Sequence, residues 1–299
     1  ANASKTLLIL GKAYYYAEMK DEMKDCLLRA VEFAKRSGSK EALAETYHDV
    51  GFSFDLAGDY SLAFEYYLMS LRLDEELKNK RGIANNSNNL ANIYDLWGDF
   101  ELAVEFYLKS LKIDEEIGDK EGIAITLNNL AIIYHSLGNL SKALDYYERS
   151  MEIEDELGNI EGLAVSYNNI AIVYDDLDKD SLALFHYQKS MELSEFSGNK
   201  EGVALAMANL GEFYHSVNNL DTAEYFYYNA LEINLEIKSE SGLAQNYNQL
   251  GNLQYDYNDF LTAINYYNKS LDLVRKSNDI EMIIENYQGL SKTYYKLGN

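Results

Sequence analysis

Apolar residues recur at three-and-four spacing along nearly the whole chain, in runs of about 17 residues separated by short polar breaks. Residues 121–160 show the plan. Ile123, Leu127, Leu130, Ala131 and Tyr134 form one stripe over Gly122 to Leu137, and Gly138-Asn139 interrupts it. Ala143, Leu144, Tyr147, Met151 and Ile153 form a second stripe over Ser141 to Leu157, closed by Gly158-Asn159. Stripes of this period mark amphipathic helices, while Gly followed by Asn or Asp ends one helix and caps the next. The pattern therefore predicts a helical hairpin.

The hairpin returns every 40 residues without an insertion or deletion: Ala63, Ala103, Ala143, Ala183, Ala223 and Ala263 stand in register. Four residues after each comes Tyr67, Tyr107, Tyr147, Tyr187, Tyr227 or Tyr267. A fixed period of this size means that each unit buries its apolar face only against its neighbours. The expected architecture is all-α, a solenoid of antiparallel helix hairpins. One array covers 1–299, with about seven hairpins over 4–279 and an unpaired last helix over 280–299. The chain stops at Leu297-Gly298-Asn299, where each earlier unit turns into its second helix, so a fragment of a longer protein is expected.

The unit carrying Tyr167, Ile170-Ala171, Tyr174, Ala183, Tyr187 and Ser190 resembles the tetratricopeptide repeat. The likeness extends over essentially the whole chain. Two departures are a unit six residues longer than the usual 34 and the absence of its terminal proline. The longer helices resemble the peptide-binding arrays of kinesin light chain and LGN/Pins, bacterial arrays attached to sensor kinases, and peptide-pheromone receptors of Gram-positive bacteria. The resemblance implies a right-handed superhelix whose concave face is lined by the first helix of every hairpin. It also implies a binding scaffold and not an enzyme.

Composition narrows the partners. The net charge of −23 disfavours phosphate backbones and anionic membrane surfaces, which are bound by clustered Lys and Arg. A protein or peptide partner, neutral or basic, is expected instead. No run approaches the length of a membrane span and no leader pattern opens the chain, which points to the cytoplasm and to no membrane contact by this fragment. Cys26 lies in an apolar helical stretch and reads as buried. Asp74-Glu75-Glu76, Asp114-Glu115-Glu116 and Glu154-Asp155-Glu156 read as solvated ends of second helices, with no metal site. No nucleophile motif or Gly-rich phosphate loop is present, so neither catalysis nor a cofactor is expected.

The candidate chemistry is a row of carboxamides inside first helices: Asn88, Asn89, Asn92, Asn128, Asn129, Asn168, Asn169, Asn209, Asn248 and Asn252. Asn is a poor mid-helix residue because its side chain competes for backbone bonds, so its recurrence calls for a reason. Two reasons stay open. Each amide can grip the N–H and C=O of an extended peptide, or it can bond to a neighbouring helix. Ile132 and Ile172 fall on the same helical face, together with Ile125, Val165 and Leu205, and read as an apolar middle for the ligand's side chains or as packing between first helices. Asp95 and Asp175 belong to an acidic surround with Glu45, Asp49, Asp55, Asp176, Glu212 and Asp256, while Lys and Arg are missing from this face until Lys292 and Lys296. His135 and His215 occupy equivalent positions two units apart and read as polar contacts. The alternative is a sensory or dimerisation module that regulates a fused signalling enzyme, with the aromatic-rich terminal hairpins pairing in a homodimer.

Overall fold

In the computed structural model, which describes residues 2–277 and 279–298, the described residues form fifteen α-helices of 15 to 18 residues. In the first half they are α1 (Asn2–Tyr16), α2 (Lys20–Ser37), α3 (Lys40–Leu56), α4 (Tyr60–Leu77), α5 (Lys80–Leu96), α6 (Phe100–Ile117), α7 (Lys120–Ser136) and α8 (Leu140–Leu157). They continue as α9 (Ile160–Asp176), α10 (Asp180–Ser197), α11 (Lys200–Ser216), α12 (Leu220–Ile237), α13 (Glu240–Asp256), α14 (Phe260–Ser277) and α15 (Ile280–Leu297). Odd-numbered helices are first helices and even-numbered ones second helices. The chain divides into two compact units, 1–153 and 154–299.

Polar turn residues set the helix ends. The side chains of Asp59, Asp99 and Asp119 accept the backbone N–H of Leu62, Leu102 and Gly122, satisfying donors that an α-helix leaves unpaired at its start. Gly118 closes α6 at φ 72°, a left-handed conformation that costs glycine nothing. Lys78 holds the equivalent place after α4 at φ 56° and carries the strain of its Cβ.

In the first unit, Ala63, Ala103 and Ala143 are fully buried, and Tyr67, Tyr107 and Tyr147 fill the space beside them. The small alanine lets the two helices of a hairpin approach while the ring supplies the buried area. A serine then pins each pair. Ser70, Ser110 and Ser150 donate from the second helix to the carbonyls of Ala44, Ala84 and Ala124 on the first, each at 2.9 Å. The second unit repeats the plan with buried Ala183, Ala223, Ala263, Tyr187, Tyr227 and Tyr267. In both units first helices also touch the next first helix: α1 with α3 and α5 with α7, then α9 with α11, α11 with α13 and α13 with α15.

The acidic clusters differ from the expectation of fully solvated helix ends. Their first members, Asp74, Asp114 and Glu154, are buried, while Glu75, Glu76, Glu115, Glu116, Asp155 and Glu156 stay exposed. Each buried carboxyl lies against the start of the next first helix, which therefore needs glycine there: a Cβ on Gly82 would come within 2.3 Å of Asp74 Oδ2. Asp74 is well supplied, accepting from Asn79 Nδ2 at 2.8 Å and Asn86 Nδ2 at 2.9 Å. Asp114 has Thr126 where Asp74 has Asn86, and it accepts from Ser110 Oγ at 3.3 Å. Burial pushes the Asp114 carboxyl up to about 6. Cys26 is buried on α2. Among the described residues no helix is long and apolar enough to cross a membrane.

Candidate functional site

In the first unit the carboxamides lie on the sides of α5 and α7 that face each other, because residues 41 apart in this repeat come side by side on successive first helices. Asn129 Nδ2 donates to Asn88 Oδ1 at 3.3 Å and to Asn92 Oδ1 at 3.4 Å, bridging the two helices. The hydroxyl of Tyr107 on α6 also donates to Asn92 Oδ1. Asn88, Asn89, Asn92, Asn128 and Asn129 are all half-buried. A carboxamide has two donor hydrogens and an oxygen with two lone pairs, so an amide braced through one end still presents the other. On α7, Ile125 and Ile132 are 52% and 38% exposed, so they do not vanish into packing between first helices. Asp95 and His135 are half-buried nearby in register, and burial raises the Asp95 carboxyl above its ordinary value.

In the second unit the same register gives a tighter bridge. Asn209 Nδ2 on α11 donates to Asn168 Oδ1 on α9 at 2.7 Å, and the two are only 9% and 6% exposed. This pair braces helices, one of the two roles the sequence leaves open. Asn248 is equally covered, donating to Asn286 Oδ1 on α15 at 3.2 Å and accepting from Asn252 Nδ2 at 3.2 Å. Exposed Asn252 in turn accepts from the Tyr267 hydroxyl at 2.8 Å. Asn169, Ile172 and Asp175 are half-buried, and Val165 and Leu205 are exposed. Burial first, and then the charges of Asp176, Asp180 and Glu212, raise the Asp175 carboxyl.

A cavity of about 670 Å³ opens in the second unit between α11, α13 and α15. Its lining includes three of the candidate residues, His215, Asn248 and Asn252, together with Glu212, Gln245, Gln249, Asp256, Glu285, Gln288 and Lys292. His215 Nε2 and Asp256 Oδ2 are 2.7 Å apart, and Gln249 Nε2 donates to Glu212 Oε2 at 3.3 Å. Gln245 and Glu285 are not among the residues that the sequence pattern singles out. The signal is nonetheless present there, since they stand at the register of Ile125, Val165 and Leu205 and break an aliphatic row.

Comparison with known proteins fits this arrangement. A tetratricopeptide repeat profile matches residues 62–116, 82–156, 122–195 and 202–276. Among curated proteins none matches the sequence. The apo form of RapI is 17% identical, with a TM-score of 0.76 over 92% of this chain and 98% of that one. The apo quorum sensor NprR from B. thuringiensis is 20% identical, with a TM-score of 0.74 over 90% of this chain and 75% of that one. A Rap protein solved in complex with competence and sporulation factor is 15% identical, with a TM-score of 0.66 over 92% of this chain and 81% of that one. At these identities the likeness is one of fold, an all-α solenoid of helical hairpins that is typically a non-catalytic, protein-binding scaffold. The matched segments cover well over half of the sequence, and the chain belongs to the tetratricopeptide repeat family.

Proposed function

We propose that the first-helix face binds an extended segment of another polypeptide, neutral or basic in character. The observation that carries this reading is the pairing of exposed aliphatic side chains with orientated amides on the same helices. In the first unit Ile125 and Ile132 stand beside Asn128 and Asn129 on α7. Water covers those aliphatics, so a partner's apolar side chains gain by replacing it. Amides already held by Asn88, Asn92 and Tyr107 lose little freedom on binding, which favours capture of a peptide backbone. Asn89, Asn169 and Asn252 serve the same end. Asn168, Asn209 and Asn248 position their neighbours instead, being nearly covered.

The neighbouring folds lend support: a Rap protein has been solved with competence and sporulation factor, and NprR is a quorum sensor. Like charge on Asp95, Asp175 and Glu212 repels an anionic segment, which gives the preference for neutral or basic partners. Selection of a random peptide library on the purified chain tests the reading. Peptides should be enriched, and Asn128→Ala together with Asn88→Ala should weaken them about tenfold or more, at about 1 kcal/mol per lost hydrogen bond. Binding that ignores both substitutions removes the asparagine row from the account.

A further inference from the structure

The cavity between α11, α13 and α15 is lined differently from α7 and α9, which carry aliphatic pairs at the same register. In α9 the register of positions 165 and 172 holds Val165 and Ile172. One and two repeats further on, the first of these becomes Leu205 and then Gln245, and the second becomes Glu212 and then Asn252. By α15 the two positions hold Glu285 and Lys292. From repeat to repeat the aliphatic pair gives way to carboxylates, amides and one ammonium, where these helices line a half-open cavity of about 670 Å³. That volume is in the range of ligand sites, and it suits a side chain with its flanking backbone.

Three carboxylates, Glu212, Asp256 and Glu285, come from three successive first helices to line this space, and Lys292 is the one ammonium among the lining residues. The Glu285 carboxyl is pushed up by burial and next by the charge of Glu212. Gln249 Nε2 holds Glu212 Oε2 at 3.3 Å, and His215 Nε2 holds Asp256 Oδ2 at 2.7 Å, which fixes two of the carboxylates in place. Preset acceptors around a half-open, acid-rich space suit a forked cation, which can donate to several oxygens in one plane.

We propose that this cavity is the subsite for one arginine or lysine side chain of the bound segment, seated among Glu212, Asp256 and Glu285. The subsite rests on the polypeptide-binding reading only for the identity of what carries the cation. It sets the register of the segment, because a single seated charge anchors a chain that the amides would otherwise hold at any position.

Nuclear magnetic resonance on the full chain tests it with N-acetyl-arginine N-methylamide as the probe and the His215 imidazole as the reporter. The probe should shift His215 saturably, the neutral isostere N-acetyl-citrulline N-methylamide should not, and Glu212→Gln with Glu285→Gln should weaken binding at least tenfold. Both glutamates are exposed, so the variant keeps its fold, and unchanged Trp97 signals in the first unit report that. Equal binding of the citrulline probe, or an unaffected glutamine variant, overturns the proposal. Glycinamide binding as well as the arginine probe also overturns it, by assigning the space to a terminal amine. Since these probes have no extended backbone, the titration succeeds or fails apart from the asparagine rows, whose test is the library selection.

Discussion

Asp114 offers a sharp test of how the hairpins are joined. Its carboxyl is 3% exposed at the junction of α6 and α7, and it lacks the amide partner that Asn86 gives to Asp74. Burial is the main cause of its elevation to about 6, followed by the hydrogen bond from Ser110, which lowers it, and the charge of Asp119, which raises it. The unfolded chain ionises near 3.8. A raised folded value means that the stabilising, protonated form is fully present below about 4 and is lost as pH rises through about 6. An elevation of that size corresponds to about 3 kcal/mol at most, and water reaching the helix ends brings the expectation to about 1–2 kcal/mol. Asp114→Asn should therefore stabilise the α6–α7 junction by that amount at pH 7.5 and by only about a third of it at pH 4.5. Adding Thr126→Asn should help further, by copying the bond from Asn234 Nδ2 to Asn246 Oδ1 that occupies this place in the second unit at 2.7 Å. Native-state hydrogen exchange of α6 and α7 at both pH values reads the effect locally, which matters because repeat arrays need not unfold in one step. A gain of equal size at both pH values would refute the buried-charge argument, as would a loss at pH 7.5.

Three further substitutions probe the same framework. The Ser87 hydroxyl is buried without a hydrogen-bond partner, so Ser87→Ala should raise stability by about 1 kcal/mol in urea denaturation. Lys78 sits at φ 56° where Gly118 stands one repeat later, and Lys78→Gly should add about 1 kcal/mol in the same assay, measured against wild type. Tyr147 is almost fully buried, and Tyr147→Ala should cost about 3–5 kcal/mol. Hydrogen exchange should show that loss concentrated in the helices packed beside it, since each repeat is supported by its neighbours.

The helices and their pairing are readable from the sequence because a period of 40 residues repeats the same signal, so weak local propensities add up. The Gly-Asp turns announce both the left-handed closure at Gly118 and the cap at Asp119. The fate of each asparagine is not readable. Asn129 and Asn209 share a register, yet the second is buried against Asn168 at 2.7 Å while the first stays half-exposed, 3.3 Å from Asn88. The buried members of the acidic clusters are hidden for a similar reason. Asp74 and Glu75 are chemically alike and adjacent, and only the glycine eight residues after Asp74, at the start of the next helix, reveals which of them turns inward.

The most direct test of the central claim is methyl resonance spectroscopy of the full chain with a library-selected peptide at saturation. Shifts should appear at Ile125 and Ile132 on α7, while Leu28 on α2 and Leu108 on α6, which are also exposed, stay unchanged. Shifts confined to those second-helix methyls would place the partner on the other side of the hairpins and contradict the account.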